Sequence, residues 1–128
     1  GIIIEQDPEN WLRFDVHFDG SDTKIFGAAT ANGLSVEKFD KAIVAVSAVY
    51  LRAIRSGDTW IFEYSGDGVS WSAAGRYDAS LTVTAVGLFS GATSGAPGFE
   101  AQVDLFEYSS GPMAQHDDQP SNNAPPNN

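Results

Sequence analysis

Two stretches of this chain carry residue types whose spacing could do chemistry. The first is SGDGVSW (65–71), an acidic residue between two glycines followed by a hydroxyl and a tryptophan. An Asp-box turn, S-x-D-x-G-x-T-W, needs one residue between Asp and Gly, but here Gly68 follows Asp67 directly. A calcium loop needs several converging oxygens, and one Asp between glycines supplies too few unless other loops contribute. Calcium therefore stays as the minor expectation. The main one is a β-hairpin, in which the glycines permit positive φ, Asp67 caps the turn and Trp71 anchors the next strand in the core.

The second stretch is WLRFDVHF (11–18). Its period of two is the strand signature. Leu12, Phe14, Val16 and Phe18 point one way, and Trp11, Arg13, Asp15 and His17 the other. Trp, Arg, Asp and His in alternation offer a stacking ring and fixed hydrogen-bonding groups. A sugar uses both, laying its C–H face on an aromatic ring and its hydroxyls on charged groups. Arg52 is expected on the neighbouring sheet surface, with Leu51 turned in, and Tyr50 is in phase with Arg52. Trp60 either joins the core with Phe62 and Tyr64 or lines the groove. The competing reading of the first strand is purely structural: Trp11 packs on a neighbouring sheet or on absent strands, and Arg13 pairs locally with Asp15.

Catalysis finds less support. Glucan hydrolysis uses two carboxylates flanking the bond. Glu100 and Asp104 would share a strand face, with Glu107 nearby, but no E-x-D-x-E-like run exists and a solvated face explains them. The two histidines, His17 and His116, cannot make a metal cluster alone, and no cofactor is expected. Gly27, Gly33 and the glycines of 91–98 are loop glycines rather than a phosphate cradle between strand and helix.

The elements that must position these residues are strands. Besides 11–18, strands are expected at 24–30, 41–46, 49–55, 59–64, 70–77, 81–89 and 99–108, with turns at 19–22, 31–33 and 56–58. With the N-terminal apolar run these make about nine short strands at regular spacing and no convincing helix, the pattern of an antiparallel sandwich or barrel. Residues 1–110 form one domain. Residues 111–128 are Pro, Asn, Gln and Asp with almost no apolar side chain and read as a flexible linker. The start, Gly1-Ile2-Ile3-Ile4, reads as the middle of a strand with upstream strands missing, and it lacks the charged region and cleavage site of a signal peptide.

Composition narrows the partners. The 128 residues carry a formal net charge of −10, with seven basic residues scattered along the chain, which disfavours nucleic acid. No run is long enough to span a membrane as a helix, so no membrane insertion is expected. There is no cysteine, so disulfide and thiolate chemistry are excluded.

Four pieces in order, QDPENWLRFDV (6–16), VYLRAIRSGDTWIFEYSGDGVSW (49–71), AVGLFSGA (85–92) and FEAQVDLFEY (99–108), resemble the concanavalin A-like lectin/glucanase superfamily. More narrowly, they resemble the jelly-roll modules appended to bacterial β-xylosidases and to large secreted multidomain proteins. The resemblance covers roughly residues 2–108 and implies an all-β antiparallel sandwich of jelly-roll type, lacking N-terminal strands. It also implies a secreted or cell-surface setting and a role ranging from glycan binding to hydrolysis to spacing. The expectation is a non-catalytic carbohydrate-binding or adhesion module with a glycan as partner. The alternatives are a structural spacer that self-associates through an open sheet edge, and a glucan-hydrolase-like domain.

Overall fold

The computed structural model describes residues 1–92 and 94–109. The expected linker at 111–128, with His116, lies outside the described residues. The fold is an all-β sandwich of two antiparallel sheets. Eight strands are assigned: β1 (Ile2–Asp7), β2 (Asn10–Phe18), β3 (Thr23–Ala31), β4 (Leu34–Ile43), β5 (Tyr50–Ser56), β6 (Thr59–Ser65), β7 (Ser72–Asp78) and β8 (Ala85–Leu88). One sheet has the order β4-β3-β2-β1-β8 and the other β5-β6-β7. The chain meanders through β1–β4, crosses over, meanders through β5–β7, and returns so that β8 pairs with β1.

Turn chemistry sets these boundaries. Between β3 and β4, Asn32 and Gly33 both take positive φ, 51° and 76°, the two-residue hairpin geometry that Asn-Gly favours. Between β2 and β3, Asp19 Oδ1 accepts the amides of Ser21 and Asp22 at 2.9 and 2.8 Å, an Asx-type turn.

The core lies between the sheets. Leu12 and Phe14 from β2 and Ile25 from β3 meet Trp60 and Phe62 from β6 and Ala74 from β7. Phe14, Phe39, Phe62 and Tyr77 form an aromatic cluster, with edge contacts from Phe14 to Phe39 and Phe62 and a stacked Phe62–Tyr77 pair at 5.0 Å. Phe39 fits because Gly27 on its own sheet and Gly75 on the facing sheet leave room. A Cβ at either glycine would overlap its ring. Trp60 belongs to this core, and its indole N–H donates to the Ala79 carbonyl at 3.0 Å.

Six expectations are corrected, beginning with Gly27, which lies inside β3 and not in a loop. Strand β4 runs from Leu34, well before residue 41, because it pairs along the whole of β3. Phe18 is 68% exposed rather than inward, since it ends β2 beyond the reach of the facing sheet. The stretch 81–89 contributes only four strand residues, and 99–108 forms no strand. Trp71 lies outside the core, with the Arg52 guanidinium 3.9 Å from its ring centre.

Candidate functional site

The register of the larger sheet fixes what surrounds the Trp11–Arg13–Asp15–His17 series, because directly paired residues share a face. Trp11 lies between Glu5 and Thr30, Arg13 between Ile3 and Ala28, Asp15 beside Phe26, and His17 beside Lys24. One strand further out, Thr30 meets Ser35, Ala28 meets Glu37 and Phe26 meets Asp40, while Ala85 and Gly87 of β8 flank Glu5 and Ile3. Thr30 and Ala28 thus flank Trp11 and Arg13 on the β3 side and Glu5 and Ile3 on the β1 side, with Ala85 and Gly87 beyond, while Phe26 and Lys24 stand at the Asp15 and His17 end.

Arg13 is held from three directions. Its guanidinium lies 4.8 Å from the Phe26 ring centre and 5.3 Å from that of Phe89, and its Nε donates to Asp15 Oδ2 at 2.5 Å. Phe89 reaches this position because its backbone exchanges two hydrogen bonds with Gly1, extending the β1–β8 ladder. Cation–π contacts and a charge-assisted hydrogen bond together fix the guanidinium plane. Asp15 is only 4% exposed although it sits on the outer face.

The charges continue as a chain. His17 Nδ1 lies 3.6 Å from Asp15 Oδ1, too long for a hydrogen bond, and is buried without a hydrogen-bond partner. The His17 ring stands edge-on to Phe26 at 5.8 Å. Lys24 bridges Asp19 at 3.0 Å and Asp40 at 3.6 Å. The hydrogen bond and charge of Asp19 hold the Lys24 ammonium above its usual pKa, while the Asp22 amide, Lys24 and the Ser21 amide hold the Asp19 carboxyl well below the carboxylate range. The Arg13 and Lys24 side chains are therefore already paired with carboxylates.

The six residues expected to form one site divide between two surfaces. Trp11, Arg13, Asp15 and His17 share the outer face of the larger sheet. Tyr50 and Arg52 are on β5 in the other sheet, where Arg52 pairs with Glu63 at 2.7 Å through its Nε and lies over Trp71. Leu51 is turned toward the core, as expected, so Arg52 faces out on the opposite side of the sandwich. Phe26, Phe89, Lys24 and Asp40 complete the first surface without having been singled out. Lys24 and Phe26 alternate in the sequence of β3, but only the register places them beside His17 and Asp15.

SGDGVSW is a turn. Asp67 Oδ1 accepts the Ser65 hydroxyl at 2.8 Å, the Val69 amide at 2.8 Å and the Ser70 amide at 2.7 Å. Gly68 has φ 76°. The two amides, with the Ser65 hydroxyl, lower the Asp67 pKa to about 2. Among the described residues no group of three His, Cys, Asp or Glu gathers at a spacing that could hold a metal ion.

No family model and no curated protein matches the chain. Among solved structures it is similar to that of a functionally unknown protein from Saccharomyces cerevisiae, with 20% identity and a TM-score of 0.56. The match covers 68% of this chain and 47% of that one, so the chain spans about half the length of that protein. At this identity the likeness concerns the fold alone.

Proposed function

We propose that this chain is a non-catalytic carbohydrate-binding or adhesion module of a secreted bacterial multidomain protein, of the concanavalin A-like jelly-roll type, and that it binds through the outer face of the larger sheet. The observation that carries the reading is Trp11 standing in line with a clamped Arg13 guanidinium, amid small neighbours at Ala28, Ala85 and Gly87. A sugar ring lies on the indole, and its hydroxyls accept hydrogen bonds from Arg13 and donate to its carboxylate neighbours. Tyr50 and Arg52 belong to the opposite surface and take no part in this site.

Binding is read by a glycan array followed by calorimetry on the best ligand. Trp11→Ala is expected to weaken it at least about tenfold, the loss of one stacking contact. The absence of any glycan ligand, or unchanged affinity in Trp11→Ala, overturns the proposal.

A second reading, a self-associating spacer, draws on β4, a long edge strand with Leu34 and Val36 exposed. Its charged residues Glu37, Lys38 and Lys41 and the irregularity in its pairing with β3 oppose edge-to-edge association. A strict monomer by size exclusion across concentration would count against it. A glucan-hydrolase reading would draw its acids from Glu100 and Asp104, which lie outside any strand. Reducing-sugar release from β-glucans is its assay.

A further inference from the structure

The two sheets do not match in width. Strand β7 lies over β4 and β5 lies over β2, so the smaller sheet covers β4, β3 and β2. No described strand lies over β1 and β8 or beyond the β5 edge. The inward side of β1 and β8 carries Ile2, Ile4, Val86 and Leu88. Leu81 and Val83 cover part of it, but Leu88 stays 44% exposed. An uncovered apolar face beside an unpaired strand edge is a slot for one more strand.

The chain carries a segment with the pattern such a slot requires. In residues 99–105, Phe99, Ala101, Val103 and Leu105 alternate with Glu100, Gln102 and Asp104, the period of a half-buried strand. In the structure this segment joins no sheet and bends at Asp104, with Phe99 61% and Val103 58% exposed. Its position suits the slot. Tyr108 lines a shallow cavity with Val83, Thr84, Ala85 and Val86, on the flank where the uncovered face lies. The ten residues 89–98 between β8 and the segment can reach about 30 Å, against a gap of about 10 Å between packed sheets.

We infer that residues 99–105 dock as a fourth strand on the β5 edge of the same chain, closing the smaller sheet over β1 and β8. The odd-numbered residues then cover Ile2, Val86 and Leu88. The even-numbered ones face outward on the side of Arg52, which Glu63 pairs from β6 and the Trp71 ring covers, so Glu100 and Asp104 bring negative charge beside it. Tethering makes the docking intramolecular and favours the chain's own segment over that of a second copy.

Hydrogen exchange of the full 128-residue chain tests the inference. Amides in 50–56 and 99–105 are expected to exchange at least about tenfold more slowly than in the variants Val103→Asp and Leu105→Asp, equally at low and high protein concentration. Protection within β2 is expected to persist in both variants. Val69→Asp, at another exposed apolar position, is expected to leave β5 unchanged. Should either aspartate unfold the chain, the milder Val103→Thr reads the same protection. Three results overturn the inference. They are β5 and 99–105 exchanging as fast in the parent chain as in the variants, protection appearing at 85–88 instead, and protection that rises with concentration together with a dimer.

Discussion

Asp15 shows how the outer face is built at the scale of single residues. A carboxylate so little exposed must be paired, and Arg13 supplies the partner at 2.5 Å. Arg13→Ala would leave that carboxylate without its donor, so it is expected to cost about 1–3 kcal/mol of stability, measured by denaturant unfolding. This makes Arg13→Ala an ambiguous probe of glycan binding and Trp11→Ala the cleaner one. Asp67 yields a prediction in pH. Its pKa falls from 3.8 in the unfolded reference to about 2 when folded. A group with a depressed folded pKa stabilises the fold above its unfolded pKa, and that contribution is lost as pH falls through the folded value. Asp67→Asn is therefore expected to flatten the decline in melting temperature between about pH 4 and pH 2. A decline as steep as in the parent chain would assign the acid sensitivity to other carboxylates, such as Asp7 and Asp19, whose pKa values are also lowered.

At the scale of elements, one aromatic ring of the core is fitted between two glycines, one on each sheet. Phe39 from β4 projects past Gly27 of β3 toward Gly75 of β7. Gly75→Ala is expected to destabilise the fold by about 1–3 kcal/mol through overpacking, and Phe39→Leu in the same chain to recover part of that loss. Additive losses in the double variant, read by denaturant unfolding, would show that the ring is not the obstacle. The strand at 11–18 and its two faces were legible, because Leu12 and Phe14 alternate with Trp11, Arg13 and Asp15 and no turn residue interrupts them. The extent of β4 was not legible. Leu34 and Val36 alternate with Ser35 and Glu37, but the extra residue Lys38 before Phe39 breaks the period, and only pairing along β3 shows one continuous strand.

For the whole molecule, electrostatics bears on the ligand. The chain has a net charge of −10, and on the candidate face Arg13 is paired with Asp15 while Lys24 is paired with Asp19 and Asp40. With both of these side-chain cations already paired, the proposed ligand is a neutral saccharide. Its affinity is expected to change less than about twofold between low salt and ~0.5 M salt, since screening acts on net charge–charge attraction. A steep fall in affinity with salt would point to an anionic ligand instead.

The sequence by itself determined the strand class, the SGDGVSW turn, and the alternation that separates Trp11 and Arg13 from Leu12 and Phe14. Each of these depends on neighbours along the chain, through side-chain period and turn geometry. Only the tertiary structure decided which strands pair, and so which side chains meet. It set Phe26 and Phe89 around Arg13, moved Tyr50 and Arg52 to the opposite side of the sandwich, took Trp60 into the core and left Trp71 on Arg52. The physical reason is that sheet register and sheet packing join residues far apart in sequence. Period two says which residues share a face of one strand, but not which strand lies beside it.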